Sequence, residues 1–183
     1  MADIDLSRLS ILLAEDSPFL RSLLTNSLKI LGVGTVTTVD DGGEAIKFLQ
    51  LVKEDPMKAG VMSVDIVFTN WQMSPVDGMM LLRWIRRHKD SPDRFVPVVM
   101  VSGYSEPDRV REARDMGVTE FMAKPFTINS ISEKLNSVIY KQRQFVHNNS
   151  YFGPDRRRRN VEIKGEDRRV NTYDTPGVEV VRV

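Results

Sequence analysis

Apolar residues fall along this chain in two alternating kinds of run. Residues 10–14 (SILLA) are short, apolar and closed by Glu15 and Asp16, the pattern of a strand buried on both faces. Ser17 and Pro18 then read as an N-cap with proline at the first helical position. Leu20, Leu23, Leu24, Leu28 and Leu31 follow at helical spacing, with Gly32 as the stop. Residues 35–39 are β-branched and predict a second strand. Asp41-Gly42-Gly43 makes a turn before a helix with Ala45, Ile46, Leu49 and Val52 inward. Residues 64–69 (VDIVFT) predict a strand ending at Asn70, and Pro75 and Asp77-Gly78 lead into a helix over about 79–87. Residues 98–101 (VVMV) end at Ser102, and a polar helix over 106–116 stops at Gly117. Residues 120–123 end at Lys124-Pro125, and a last helix runs from 129 to about 145. Strict alternation of five strand-helix units predicts an α/β fold: a doubly wound five-stranded parallel sheet with right-handed crossovers.

After His147 the periodicity stops, and HNNSYFGPD is turn-rich. The expected division is a body over 1–147 and a largely disordered C-terminal tail over 148–183. Such a body is complete by Phe145 and folds without the tail, which supplies no large apolar residue to its core. Residues 161–164 and 178–183 alternate weakly, as short strands would.

Composition narrows the chemistry. The 183 residues include no cysteine, which excludes disulfides, thiolate metal sites and a cysteine nucleophile. His88 and His147 stand far apart, against a zinc site. No apolar run approaches the ~20 residues of a membrane helix, and the start, MADIDLSRLS, is no secretory signal. The expected location is cytoplasmic, with no membrane insertion. Net charge is +1, yet the tail concentrates eight basic residues against six acidic ones. Its Arg156-Arg157-Arg158-Arg159 run is the densest charge in the chain.

Sites in an open parallel sheet form outside the carboxyl ends of the strands. Those ends carry Glu15, Asp16, Asn70, Ser102 and Lys124. Two carboxylates, a hydroxyl and an ammonium are the inventory of a magnesium-dependent phosphoryl site. The stretches ILLAEDS, DIVFTNWQMSPVDG, VVMVSG and FMAKPF, in this order and spacing, resemble the receiver domain of bacterial response regulators, the CheY-like fold. The resemblance spans residues 8–145 and implies strand order 2-1-3-4-5. It places Phe121 at the family's switch-aromatic position. It also places Asn70 where the family carries its phosphoacceptor aspartate, eight residues before Gly78. Asp65 cannot substitute, because it begins the strand, about 16 Å away by strand rise. An amide forms no acyl phosphate and removes a negative charge from the cation site, so no phosphorylation and no tight Mg²⁺ binding are expected. Ser74, at a usual proline position, is a smaller departure. The expected role is that of a degenerate, non-catalytic receiver acting as a binding scaffold. Glu15 and Asp16 then serve as helix caps, and Ser102 and Lys124 as partners of Asn70.

The tail holds a repeat: Gly153-Pro-Asp-Arg-Arg157 recurs as Gly165-Glu-Asp-Arg-Arg169, twelve residues on. Arginine offers paired donors to phosphate and to the O6/N7 edge of guanine, and its plane stacks on purines. Aspartate accepts from the Watson–Crick edge of guanine, and Tyr151 and Phe152 add stacking surface. A two-copy motif of this kind suits a ligand with two guanines and two phosphates, cyclic di-GMP. The tail resembles the arginine-rich extension of a class of CheY-like cyclic di-GMP effectors. That resemblance implies ligand contacts from Tyr151, Asp155, Arg156, Arg157, Arg158, Arg159, Asp167, Arg168 and Arg169. It further implies a protein partner such as the flagellar motor switch, with the dinucleotide controlling docking. Two alternatives stand beside this reading. Nonspecific nucleic-acid binding through the arginine run is opposed by the four acids among seven bases over 155–169. A plain phosphorelay receiver with a disordered tail is opposed by Asn70.

Overall fold

The computed structural model describes residues 5–103, 107–156 and 177–181. Five parallel strands form one sheet in the order β2-β1-β3-β4-β5: β1 (Ser10–Ala14), β2 (Thr35–Val39), β3 (Ile66–Asn70), β4 (Val98–Ser102) and β5 (Glu120–Ala123). The expected fold and strand order are therefore found. β3 and β4 are buried along their whole length, as the continuous apolar runs required.

Helices cover both faces. Helix α1 (Pro18–Ile30) and helix α6 (Ile128–Tyr140) bury Leu24, Leu28, Ile131 and Leu135 against Ile11, Leu13, Phe68 and Val99. Helices α2 (Gly42–Glu54), α4 (Gly78–Arg87) and α5 (Pro107–Met116) bury Leu49, Leu81, Leu82, Ile85 and Ala113 against Leu12, Val67 and Met100. Alternate residues of each strand thus feed opposite cores. Leu23 remains 41% exposed, outside the stripe that its spacing had suggested. Two short elements carry too few residues for a periodic signal: a 3-10 turn at Leu6–Arg8, and helix α3 (Pro56–Ala59) capped by Asp55.

The last helix ends at Tyr140, not near Phe145, and Lys141 to Gln144 interrupt the apolar stripe. Phe145 instead opens a strand, β6 (Phe145–His147). It pairs antiparallel with β7 (Phe152–Pro154) and with β8 (Glu179–Val181). The hairpin of β6 and β7 crosses the division expected at His147. Tyr151 and Phe152 are only 8% and 7% exposed, so residues beyond His147 do enter the core. Local patterning missed this because the partners are distant in sequence. Phe95 meets Phe145 and Phe152 edge-on, with ring centroids 5.0 and 5.3 Å apart. A Cβ on Gly153 would lie 2.6 Å from the Cα of Gly117, and one on Gly117 would lie 2.7 Å from the carbonyl of Phe152. Glycine at both positions lets the hairpin sit directly on the turn between α5 and β5, where Gly117 has a φ of +98°. Residues 161–164 lie outside the described residues; the strand expected over 178–183 is observed as β8.

Candidate functional site

The carboxyl ends of β1, β3, β4 and β5 bring Glu15, Asn70, Ser102 and Lys124 to one edge of the sheet. Each is the last residue of its strand or follows directly after it. Glu15 extends β1 by donating its N–H to Val39 O (3.2 Å). The next residues start α1: Ser17 accepts from the Leu20 N–H, and its own N–H donates to Glu15 Oε1 (3.1 Å). Arg21 donates to Glu15 O (2.8 Å) and pairs with Asp40, bracing the loop. At β3, Asn70 lies opposite Val101, and Trp71 N–H donates to Val101 O (2.8 Å). Helix α4 starts close behind. A Cβ on Gly78 would sit 2.2 Å from Asn70 O, so only glycine permits this approach.

The side chains close on one another. Asn70 Nδ2 donates to Gln72 O (2.7 Å), Asp16 Oδ1 (3.0 Å) and Glu15 Oε1 (3.2 Å). Lys124 Nζ donates to Glu15 Oε2 (2.9 Å) and Asn70 Oδ1 (3.2 Å). Glu15, Asn70 and Ser102 are 1%, 7% and 1% exposed. Burial raises the Glu15 carboxyl above its ordinary range, against the opposing pull of Lys124 and the Ser17 N–H. Burial also pushes Asp16 upward, but its contacts with Glu15 and Asn70 outweigh this and hold it low. Phe121 is half-buried and meets Trp71 edge-on at 6.4 Å, and Arg109 lies over the same indole at 5.6 Å. Gln72, a backbone acceptor in the pocket, was not singled out from sequence, since any residue type offers that carbonyl.

These residues do not fit a divalent ion as arranged. The oxygens that would face it are accepting hydrogen bonds from the amide. Among the described residues no group of three or more His, Cys, Asp or Glu side chains is placed to hold a metal. Nor is there a nucleophile at the end of β3, where the amide oxygen is uncharged and engaged by Lys124. Asp65 is far away, accepting from the Ser10 N–H (2.7 Å) where β1 begins.

The described arginine-segment residues lie at the other pole, against the starts of β4 and β5. Asp155 N–H donates to Gln144 O (2.7 Å), and Arg143 donates to Asp155 O (2.9 Å) and to Thr119 O. Arg156 pairs with Asp115 on α5 (2.7 Å), its guanidinium 5.0 Å from the Tyr151 ring centroid. Tyr151 is buried, and its hydroxyl donates to Pro154 O (2.7 Å). Its ring therefore backs Arg156 and is not an open stacking face. Arg157, Arg158, Arg159, Asp167, Arg168 and Arg169 lie outside the described residues.

Sequence reasoning also passed over Arg86, which is fully buried. It donates to Gly117 O (2.9 Å), Arg94 O (2.8 Å), Val96 O (2.7 Å) and Thr119 Oγ1 (3.3 Å). Burial lowers its pKa to about 10, so it stays charged at neutral pH. A signal existed: Arg86 is four residues after Leu82, on the apolar stripe of α4.

Comparison with known proteins agrees with this architecture. The family model described as response regulator receiver domain matches residues 11–136. The chain is 31% identical over 130 residues to chemotaxis protein CheY-3 of Vibrio cholerae, covering 71% of this chain and 91% of that one. The solved structure of CheY4 of Vibrio cholerae superposes with a TM-score of 0.59 at 22% identity, covering 72% of this chain and 98% of that chain. The receiver domain of sensor histidine kinase PA1611 from Pseudomonas aeruginosa, with a magnesium ion coordinated in its active-site cleft, gives 0.56 at 23% identity, over 70% and 94% of the two chains. At these identities the two structures speak for the fold alone. Among the described residues no helix is long and apolar enough to cross a membrane. With the family match over most of its length and its strand-end residues in register, the chain belongs to the response regulator receiver family, CheY-like modules of two-component signalling.

Proposed function

We propose that this protein is a non-catalytic, CheY-like effector of cyclic di-GMP. The dinucleotide binds the arginine-rich segment, and the receiver body docks on a protein partner such as the flagellar motor switch. The observation that carries the reading is the Asp-Arg-Arg repeat, whose first copy is rooted on the receiver through Asp155 and Arg156. A ligand gathering both copies would pull on that root, which gives binding a route to the receiver surface. Arg156, Arg157, Arg158, Arg159, Arg168 and Arg169 contact phosphates or guanine edges. Asp155 and Asp167 accept from Watson–Crick edges, and Tyr151 contributes by holding Arg156 flat for stacking. The amide at Asn70 supports an input other than phosphorylation, and Mg²⁺ is not required.

Titration calorimetry of the full chain with cyclic di-GMP and cyclic di-AMP at fixed salt tests the reading. Each charge-assisted bond contributes roughly 1.5–3 kcal/mol, so loss of one arginine weakens binding at least about tenfold. Asp155→Ala and Asp167→Ala discriminate best, because each raises the positive charge. Base recognition expects weaker binding in both, whereas electrostatic attraction alone expects tighter binding. Parent-like affinity in both variants, or no preference for cyclic di-GMP, removes the guanine-reading segment and leaves a nonspecific basic one.

A further inference from the structure

The amide at Asn70 is more than a lost carboxylate. Its nitrogen lies within 2.7–3.2 Å of three oxygens contributed by Glu15, Asp16 and the carbonyl of Gln72. Two acids and a carbonyl converging from two strand ends are hard oxygen donors, the set that suits Mg²⁺. That ion would require them at about 2.0–2.1 Å with near-octahedral geometry. Here they stand at hydrogen-bond distance from an NH₂ group that donates to all three. The group has two hydrogens for three acceptors, so one hydrogen is shared. On its other side the amide oxygen accepts from Lys124, which also pairs with Glu15.

We infer that the Asn70 side-chain amide replaces the divalent cation, satisfying the oxygens of the pocket from within the chain. With Glu15 and Asp16 ionised and Lys124 charged, the cluster carries one net negative charge. An aspartate at position 70 adds a second and removes the donor, leaving three carboxylates, two of them at buried positions and Asp16 exposed, with one ammonium. That arrangement needs a cation; the present one does not. The clasp joins the ends of β1, β3 and β5 through side chains alone. It therefore holds them in one arrangement whatever the Mg²⁺ level. The pocket is thus a structural lock, and this conclusion stands whether or not the arginine segment binds a dinucleotide.

The test compares thermal unfolding and Trp71 fluorescence of the full chain in EDTA and in MgCl₂. Sodium chloride at equal ionic strength serves as the control, in a Trp84→Phe background so that Trp71 reports alone. The parent is expected to show the same midpoint and emission in all three. Asn70→Asp is expected to unfold several degrees lower in EDTA and to recover saturably with Mg²⁺ but not with sodium, as ligand binding to the folded state requires. Asn70→Ala is expected to lose stability in EDTA, because the three oxygens lose their donor. If Asn70→Asp fails to fold without Mg²⁺ and folds with it, the inference is upheld by that dependence. Saturable Mg²⁺ stabilisation or quenching in the parent overturns it, as does an Asn70→Asp protein as stable as the parent in EDTA. If Asn70→Asp folds in neither buffer, the parent decides: Mg²⁺-insensitivity upholds the lock, and saturable Mg²⁺ stabilisation overturns it.

Discussion

The two ends of the central sheet solve the burial of charge in opposite ways. At the carboxyl ends, Glu15, Asp16, Asn70 and Lys124 satisfy one another, side chain to side chain. At the amino ends, the guanidinium of Arg86 is satisfied by three carbonyls and one hydroxyl, and Phe145 lies against it at 5.3 Å. A side-chain network can be rewritten by one substitution, for which position 70 is the place. A network built on backbone carbonyls depends on where the chain runs, so it ties α4, the start of β4 and the turn before β5 into one unit. The first pole shows how the strand ends are joined; the second shows where the additional chain is fastened.

The largest expected effect comes from removing the covering at the amino pole. A chain ending at His147 loses Tyr151 and Phe152. Burying each such side chain contributes about 1.5–3 kcal/mol, together ~3–6 kcal/mol, against a usual total of roughly 5–15 kcal/mol. Denaturant unfolding should show a much lower midpoint than for a chain ending at Arg156, which keeps the hairpin. Equal midpoints would mean that the hairpin rests on the receiver without stabilising it.

Arg86→Met tests the guanidinium directly. It preserves much of the volume but strands three carbonyls, at about 1–3 kcal/mol for each buried group left unpaired. We expect a loss of about 3 kcal/mol or more in chemical unfolding, with Asn70–Lys124 contacts unaffected. A neutral result would show that the carbonyls find other donors and that the two networks are less different than their geometry indicates.

High pH should loosen the amino pole alone. Burial raises the Tyr151 phenol to about 12 from 10.0, despite the opposing effect of nearby Arg156. Its folded pKa is above the unfolded one, so its stabilisation is fully present below pH 10 and is lost as pH rises toward 12. The difference amounts to about 3 kcal/mol at most. The absorbance titration of the parent minus that of Tyr151→Phe isolates this group. A midpoint near 10 in the difference would mean that the ring is not buried in the folded protein. The smallest expected effect belongs to the carboxyl pole: treatment with a small phosphodonor should add no phosphoryl mass at Asp16 or Asp65, with or without Mg²⁺. An added phosphoryl at either would mean that the pocket works as a phosphoryl site and not as a closed network.

The residues that define the pocket were legible because they sit where strands stop. Apolar runs ending in Glu15, Asn70, Ser102 and Lys124 mark both the sheet and its functional edge, since in a parallel sheet one local pattern sets both. The resemblance to receivers, counted back from Gly78, implied that Asn70 stands where that family carries an acid. The sequence did not reveal what the amide does there, because its three acceptors are two acids from the end of β1 and a carbonyl after β3 that carries no residue signature. The hairpin was illegible for a related reason. Phe145, Tyr151 and Phe152 have no periodic neighbours, and their burial depends on Phe95 and Gly117, tens of residues away. Arg86 belongs with them: its place on the apolar stripe of α4 hinted at burial, and only the tertiary structure brought the carbonyls of Arg94, Val96 and Gly117 to its guanidinium. Local pattern thus determined the strands, the helices and the polar strand ends. Tertiary structure alone decided which polar groups neutralise one another and where the extra chain attaches, because those energies arise between segments that sequence spacing does not bring together.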